Sequence, residues 1–147
     1  MARSTKSRVV SSNVDAGVSH WTAVCKVNGR YIVAGCLKDN DKSRVYMLTD
    51  AAAVVHMIDV GHLGYDDAWY AVDRIVLLTD CCLLFVHLNQ LATVAVVVDD
   101  ALTVVRTIDA CNDGMLDNMN DCTFDAASGR LLLTSDGKVC DIRLKIN

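Results

Sequence analysis

The sequence predicts an all-β protein assembled from antiparallel, four-stranded units. Three observations predict it. First, the chain is cut into short runs dominated by Val, Ile, Leu, Thr and Tyr, with Gly, Asn and Asp between them. β-Branched and aromatic side chains suit a pleated surface, and the small polar residues suit turns. Second, the runs echo one another at a spacing typical of stacked β units. Third, 52% of the residues are hydrophobic and 22% charged, so the runs have a core to bury into and most of the chain is not disordered.

The elements follow in order. Arg3, Lys6 and Arg8 make the first eight residues basic, and no apolar region follows them. Residues 1–14 therefore read as a solvated tail with a possible closing strand at 8–13, and not as a secretory signal. Residues 15–147 form a single β domain, a reasonable size for one core. Strands are expected near 20–27, 30–36, 43–49, 53–59, 68–72, 74–79, 82–88, 92–98, 102–108, 121–125, 130–135 and 138–144. Gly29-Arg30-Tyr31-Ile32-Val33-Ala34-Gly35-Cys36 is a nearly continuous apolar run behind a turn residue, as a strand covered on both faces requires. Lys38-Asp39-Asn40-Asp41-Lys42 is a polar turn before the next run. No proline occurs, so no turn is proline-built. A helix over 66–91, capped by Asp66-Asp67, is the alternative for the middle of the chain.

Internal repetition organises these strands. Arg30, Arg74 and Arg130 each open an apolar run, 44 and 56 residues apart. Val54-Val55-His56-Met57-Ile58-Asp59 is echoed 50 residues later by Val104-Val105-Arg106-Thr107-Ile108-Asp109. The two echoes disagree inside the middle unit: the first puts its third strand at 82–88, the second at 92–98. Thirteen expected strands exceed the twelve of three four-stranded units, so one segment is an extra strand, a short helix or a connector. The units divide the domain at approximately 15–60, 61–110 and 111–147.

The stretch Phe124-Asp125-Ala126-Ala127-Ser128-Gly129-Arg130-Leu131-Leu132-Leu133-Thr134-Ser135-Asp136-Gly137-Lys138-Val139 resembles the second half of a WD-repeat blade. Gly61-His62, after an apolar strand, resembles the Gly-His dipeptide of that family. The Trp-Asp dipeptide that names the family does not occur. The resemblance spans residues 20–147 and implies a β-propeller of about three blades, with His62 as a structural hydrogen-bonding residue. Propellers close with about four to eight blades. Three blades imply a partial ring, completed by a second copy or by another chain. WD-type propellers tie their ends by an N-terminal strand that completes the last blade, which implies that role for residues 8–13.

Several function classes are disfavoured. The net charge of −4 does not suit a phosphate-binding surface, so no nucleic acid is expected. The longest apolar stretch, Cys81 to Val98, is interrupted by His87, Asn89, Gln90 and Thr93, so no membrane span is expected. The seven cysteines form no C-x-x-C pair and no spaced set with His20, His56, His62 or His87. That predicts buried thiols in a reducing, intracellular and cytoplasmic setting, without a disulfide framework or zinc. Asp66-Asp67 and Asp99-Asp100 are adjacent pairs whose side chains diverge on a strand, so turn or strand-end roles are expected instead of glycosidase chemistry. The acidic loop 112–121 lacks calcium-loop spacing. No nucleophile-elbow, P-loop or dinucleotide motif occurs. No catalytic residue, metal or cofactor is assigned.

The expected function is a non-catalytic protein–protein scaffold or structural subunit that binds protein partners or a second copy of itself. Trp21, Trp69, Tyr65 and Tyr70 pack in the core, or Tyr65 and Trp69 form an exposed hot spot flanking Asp66 and Asp67. Asp113 and Asp117 belong to the acidic loop, which is expected to face a partner. The competing expectation is a β domain that binds a small molecule, sugar or metal, with weak or no enzymatic activity using the acidic loop.

Overall fold

A computed structural model describes residues 7, 9–10, 14–39, 42–59, 71–89, 92–108, 119–135 and 137–143. Eleven strands occupy them in three antiparallel sheets. Sheet I is a meander of β1 (Val18–Val27), β2 (Arg30–Leu37), β3 (Ser43–Leu48) and β4 (Val54–Asp59). Sheet II repeats it with β5 (Ala71–Leu77), β6 (Cys82–Asn89), β7 (Ala92–Val98) and β8 (Val104–Ile108). Sheet III holds β9 (Met119–Asp125), β10 (Arg130–Ser135) and β11 (Lys138–Arg143), with β10 central.

Turn chemistry explains the meander. Asn28 and Gly29 join β1 to β2 with φ of 49° and 76°, the left-handed pair that a two-residue hairpin needs to match strand twist. The β3–β4 and β7–β8 connections are one turn built twice, 50 residues apart. The Ala52 amide donates to the Thr49 carbonyl and the Leu102 amide to the Asp99 carbonyl. Ala52 and Leu102 both sit at positive φ, 62° and 60°. Asp99 also accepts the amides of Ala101 and Thr103 at 2.9 Å each, and Asp100 accepts from Asn28. The aspartate pair is turn chemistry.

The repeated turn decides which echo is structural. Val54 and Val104 open the fourth strands of sheets I and II, so the third strand of the middle sheet is β7, at 92–98. Arg74 instead lies on β5, a first strand, whereas Arg30 and Arg130 open second strands 100 positions apart, twice the 50-residue offset. The segments expected at 68–72 and 74–79 are a single strand over the described residues, its register slipping between Val72 and Arg74. That slip moves Val72 and Ile75 onto one face and Val76 onto the other. The helical alternative for 66–91 is overturned, because 71–77 and 82–89 are strands. Val9 and Val10, within the expected strand 8–13, lie in no strand.

The sheets stack face to face. One core joins Val27, Ile32, Ala34, Val45, Met47 and Ile58 of sheet I to Val72, Ile75, Leu84, Val86 and Val96 of sheet II. A second joins the other face of sheet II, through Leu83, Phe85, Ala95 and Val97, to Leu131 and Leu133 of sheet III. Sheet II is thus covered on both sides, which is why β6 and β7 carry continuous apolar runs. Each fully buried Val, Leu or Phe contributes about 1.5–3 kcal/mol by leaving water.

The sheets meet along their first strands, β1 against β5 and β5 against β9. A register slip at Thr22 turns its hydroxyl toward the carbonyls of Ala34 and, across the sheets, Val72. Ser43, fully buried, accepts the Val72 amide at 2.9 Å. The slip on β5 would otherwise leave that amide unpaired inside the core, at a cost of about 1–3 kcal/mol.

Candidate docking face on the first sheet

With both faces of sheet II used, the outer faces of sheets I and III remain, and on sheet I Val18, Tyr46 and Leu48 are already buried among half-buried Trp21, Tyr31 and Val33. On sheet I, alternation sends Tyr31, Val33 and Leu37 of β2 and Arg44, Tyr46 and Leu48 of β3 outward. Trp21 of β1 pairs with Gly35, and a Cβ at Gly35 would stand 2.7 Å from Val18 Cγ1 and 2.9 Å from Trp21 Cε3. The missing side chain lets the indole lie across β2 and reach Tyr46, with ring centroids 5.5 Å apart and tilted 60°.

Asp15 fixes the segment that enters β1. Its Oδ1 accepts the Gly17 amide at 2.7 Å, an Asx turn. Its Oδ2 accepts the Tyr46 hydroxyl and Arg44 Nη1, the latter at 3.2 Å. The Tyr46 bond, followed by the Gly17 amide, holds the Asp15 carboxyl below its ordinary range. Burial, reinforced by the same carboxylate, pushes the Tyr46 phenol up to about 12. At neutral pH the phenol is therefore a fixed donor and Asp15 a fixed acceptor, a latch with no proton to exchange.

Beside this latch lies a groove of about 260 Å³ lined by Val9, Val10, Val14, Trp21, Val33 and Leu48. Every lining residue is apolar. Such a surface recognises apolar side chains and offers nothing to polarise a substrate.

The outer face of sheet III is different. Thr123, Thr134, Asp141 and Arg143 project from it, with Leu132 half-buried and Val139 exposed. Arg130 donates Nε and Nη2 to Asp141 Oδ2 at 2.9 and 2.6 Å. Arg74 of β5 pairs with Asp121 at the rim and also bonds the Asn120 carbonyl.

Tyr65, Asp66, Asp67, Trp69, Asp113 and Asp117, the partner-binding residues expected from sequence, lie outside the described residues, as do Gly61 and His62. Asp121, from the same acidic loop, is a strand residue paired with Arg74. This candidate face was missed because its parts are far apart in sequence. Two local signals pointed toward it: the Asp15-Ala16-Gly17 turn, and the outward period of Arg44, Tyr46 and Leu48.

Among the described residues, no group of three or more His, Cys, Asp or Glu side chains could hold a metal ion, and six cysteines are free thiols. Among them also, no helix is long and apolar enough to cross a membrane. A scan against models of known protein families gives no match, and a search of curated proteins gives none either.

Proposed function

We propose that this protein is a non-catalytic protein–protein interaction module, and that it docks partners through the outer face of sheet I. One observation carries the reading: among the described residues, the sheet I end joins an apolar groove to a half-buried Trp21 packed on the buried Tyr46, while the sheet III end carries threonines and an Arg–Asp pair. Protein hot spots favour such aromatic anchors at the centre of a patch that excludes water. The groove lacks the convergent polar groups that fix a small polar ligand or activate one.

Two further features fit the propeller-type arrangement that the WD-repeat resemblance implies. The units recur about every 50 residues as antiparallel meanders, and adjacent sheets meet along their first strands. In such an arrangement the outer face of sheet I is where a preceding unit would pack.

A photo-crosslinking residue placed at position 33 tests the reading against the same residue at position 134 of sheet III. Adducts from position 33, to another protein or to a second copy, with none from position 134, are the expected result. Adducts from 134 alone, or from neither, would overturn it.

A further inference from the structure

Half of the groove lining comes from the chain's own N-terminal arm. Val9, Val10 and Val14 form one wall, and Trp21, Val33 and Leu48 of sheet I form the other. The arm does not fill the space it borders: Val9 is 84% exposed. Its root is fixed, since Asp15 is tied to Tyr46, Arg44 and Gly17. Val9 and Val10 lie in no strand, so their leaving one groove for another breaks no strand pairing.

Charge favours the same move. Arg3, Lys6 and Arg8 give residues 1–8 three positive charges and no negative one. The remaining chain then holds 11 of the 14 basic residues against all 18 acidic ones, a net charge of −7. A basic arm is drawn to an acidic body, in its own chain or in another.

We propose that the groove is a receptor for the N-terminal arm of a second copy of this chain, giving an arm-exchanged dimer. This deepens the docking-face reading and rests on it. Exchange needs no new kind of contact, because the valines that border the groove within one chain serve equally between two. The slight burial of Val9 in its own groove makes the intramolecular contact easy to give up. Reciprocal exchange, in which each copy gives its arm to the one whose arm it receives, closes the assembly at two. The polar outer faces of sheet III cap both ends of the joined stack, as polar terminal units cap repeat arrays.

Light scattering after size exclusion, over a range of concentrations, tests this on full-length chains. The wild type is expected to pass from monomer to dimer as concentration rises, with added salt weakening the dimer. Full-length Val9→Asp/Val10→Asp blocks the arm, and full-length Val33→Lys blocks the groove. Each alone is expected to be monomeric, and their equimolar mixture is expected to recover dimer, since one free arm and one free groove remain. A synthetic peptide of residues 1–14 is expected to dissociate the wild-type dimer. The arm variant leaves the sheets untouched, so it serves as the test even if Val33→Lys fails to fold. A wild type that stays monomeric throughout, or an arm variant that dimerises like wild type, would overturn arm exchange. Crosslinks from position 33 to another protein would then leave the docking-face reading standing alone.

Discussion

The two ends of this stack are built from the same antiparallel hairpins but face outward with different chemistry. Sheet I turns Trp21, Tyr31, Val33, Tyr46 and Leu48 away from sheet II into a smaller cluster in which Tyr46 and Leu48 are buried, with Arg44 tied to Asp15 and Lys26 to Asp50. Sheet III turns out Thr123, Thr134, Arg143 and the Arg130–Asp141 pair. Both inner faces are apolar because both pack on sheet II. The difference teaches that burial of an inner face follows from the fold, whereas the outer face is free to vary and so records use. On the proposed reading, the solvated end is the polar one and the end that meets a partner is the apolar one.

The comparison rests on a shared middle, and the largest expected effect lies there. Phe85 is fully buried between sheets II and III. Phe85→Ala should cost about 3–5 kcal/mol, seen as a lowered urea midpoint, because the cavity has little room to collapse. An unchanged midpoint would mean that sheet III does not rely on sheet II.

The duplicated turn separates backbone from packing. Ala52→Gly should stabilise by about 1 kcal/mol, by removing the side chain from a left-handed residue. Leu102→Gly relieves the same backbone, but Leu102 is buried in the core between sheets I and II. It should lose about 2–5 kcal/mol as a large-to-small core change. Opposite signs in denaturant unfolding are expected from one turn geometry.

Gly35→Ala attacks the proposed docking face itself. The added methyl collides with Val18 and Trp21, so a loss of about 1–3 kcal/mol is expected. Near-ultraviolet circular dichroism from the Trp21–Tyr46 pair should change with it. Thr134→Ala at an exposed position of sheet III should change neither.

A smaller effect is expected from pH. The Tyr46 phenol is raised in the folded state, so its contribution is present below pH 10 and is lost as pH climbs toward about 12. The Asp15 carboxyl is lowered, so its contribution is present above its ordinary pKa and is lost only as acid drives pH through the lower folded value. Between these limits the latch should be insensitive to pH. Tyr46→Phe should flatten the alkaline limb of stability against pH relative to wild type.

The smallest effect belongs to sheet III. Asp141→Asn weakens an exposed ion pair, and such pairs contribute little in water. It should leave the urea midpoint close to wild type and leave self-association unchanged. A lost dimer would mean that the polar end, too, is an interface.

How much was legible follows from the range of each interaction. The strand class, the Asn28-Gly29 hairpin and the 50-residue echo of Val54 in Val104 are local, and periodicity and turn residues expose them. Arg74 misled because its Arg-Ile-Val-Leu run looks like those behind Arg30 and Arg130. The register slip beside it can be seen only against its partner β6. Trp21 was visible as a large amphipathic residue, but its outward orientation was not, since the slip at Thr22 reverses the face along β1.

By itself, then, the sequence determined an all-β chain of repeated antiparallel hairpins, because propensity, alternation and turn chemistry act within a few residues. Which sheet lies in the middle, which faces stay outside, and the meeting of Val9, Trp21 and Leu48 around one groove were decided by tertiary structure. Those depend on which strands pair and which faces pack, and such contacts join residues whose separation along the chain carries no local signal.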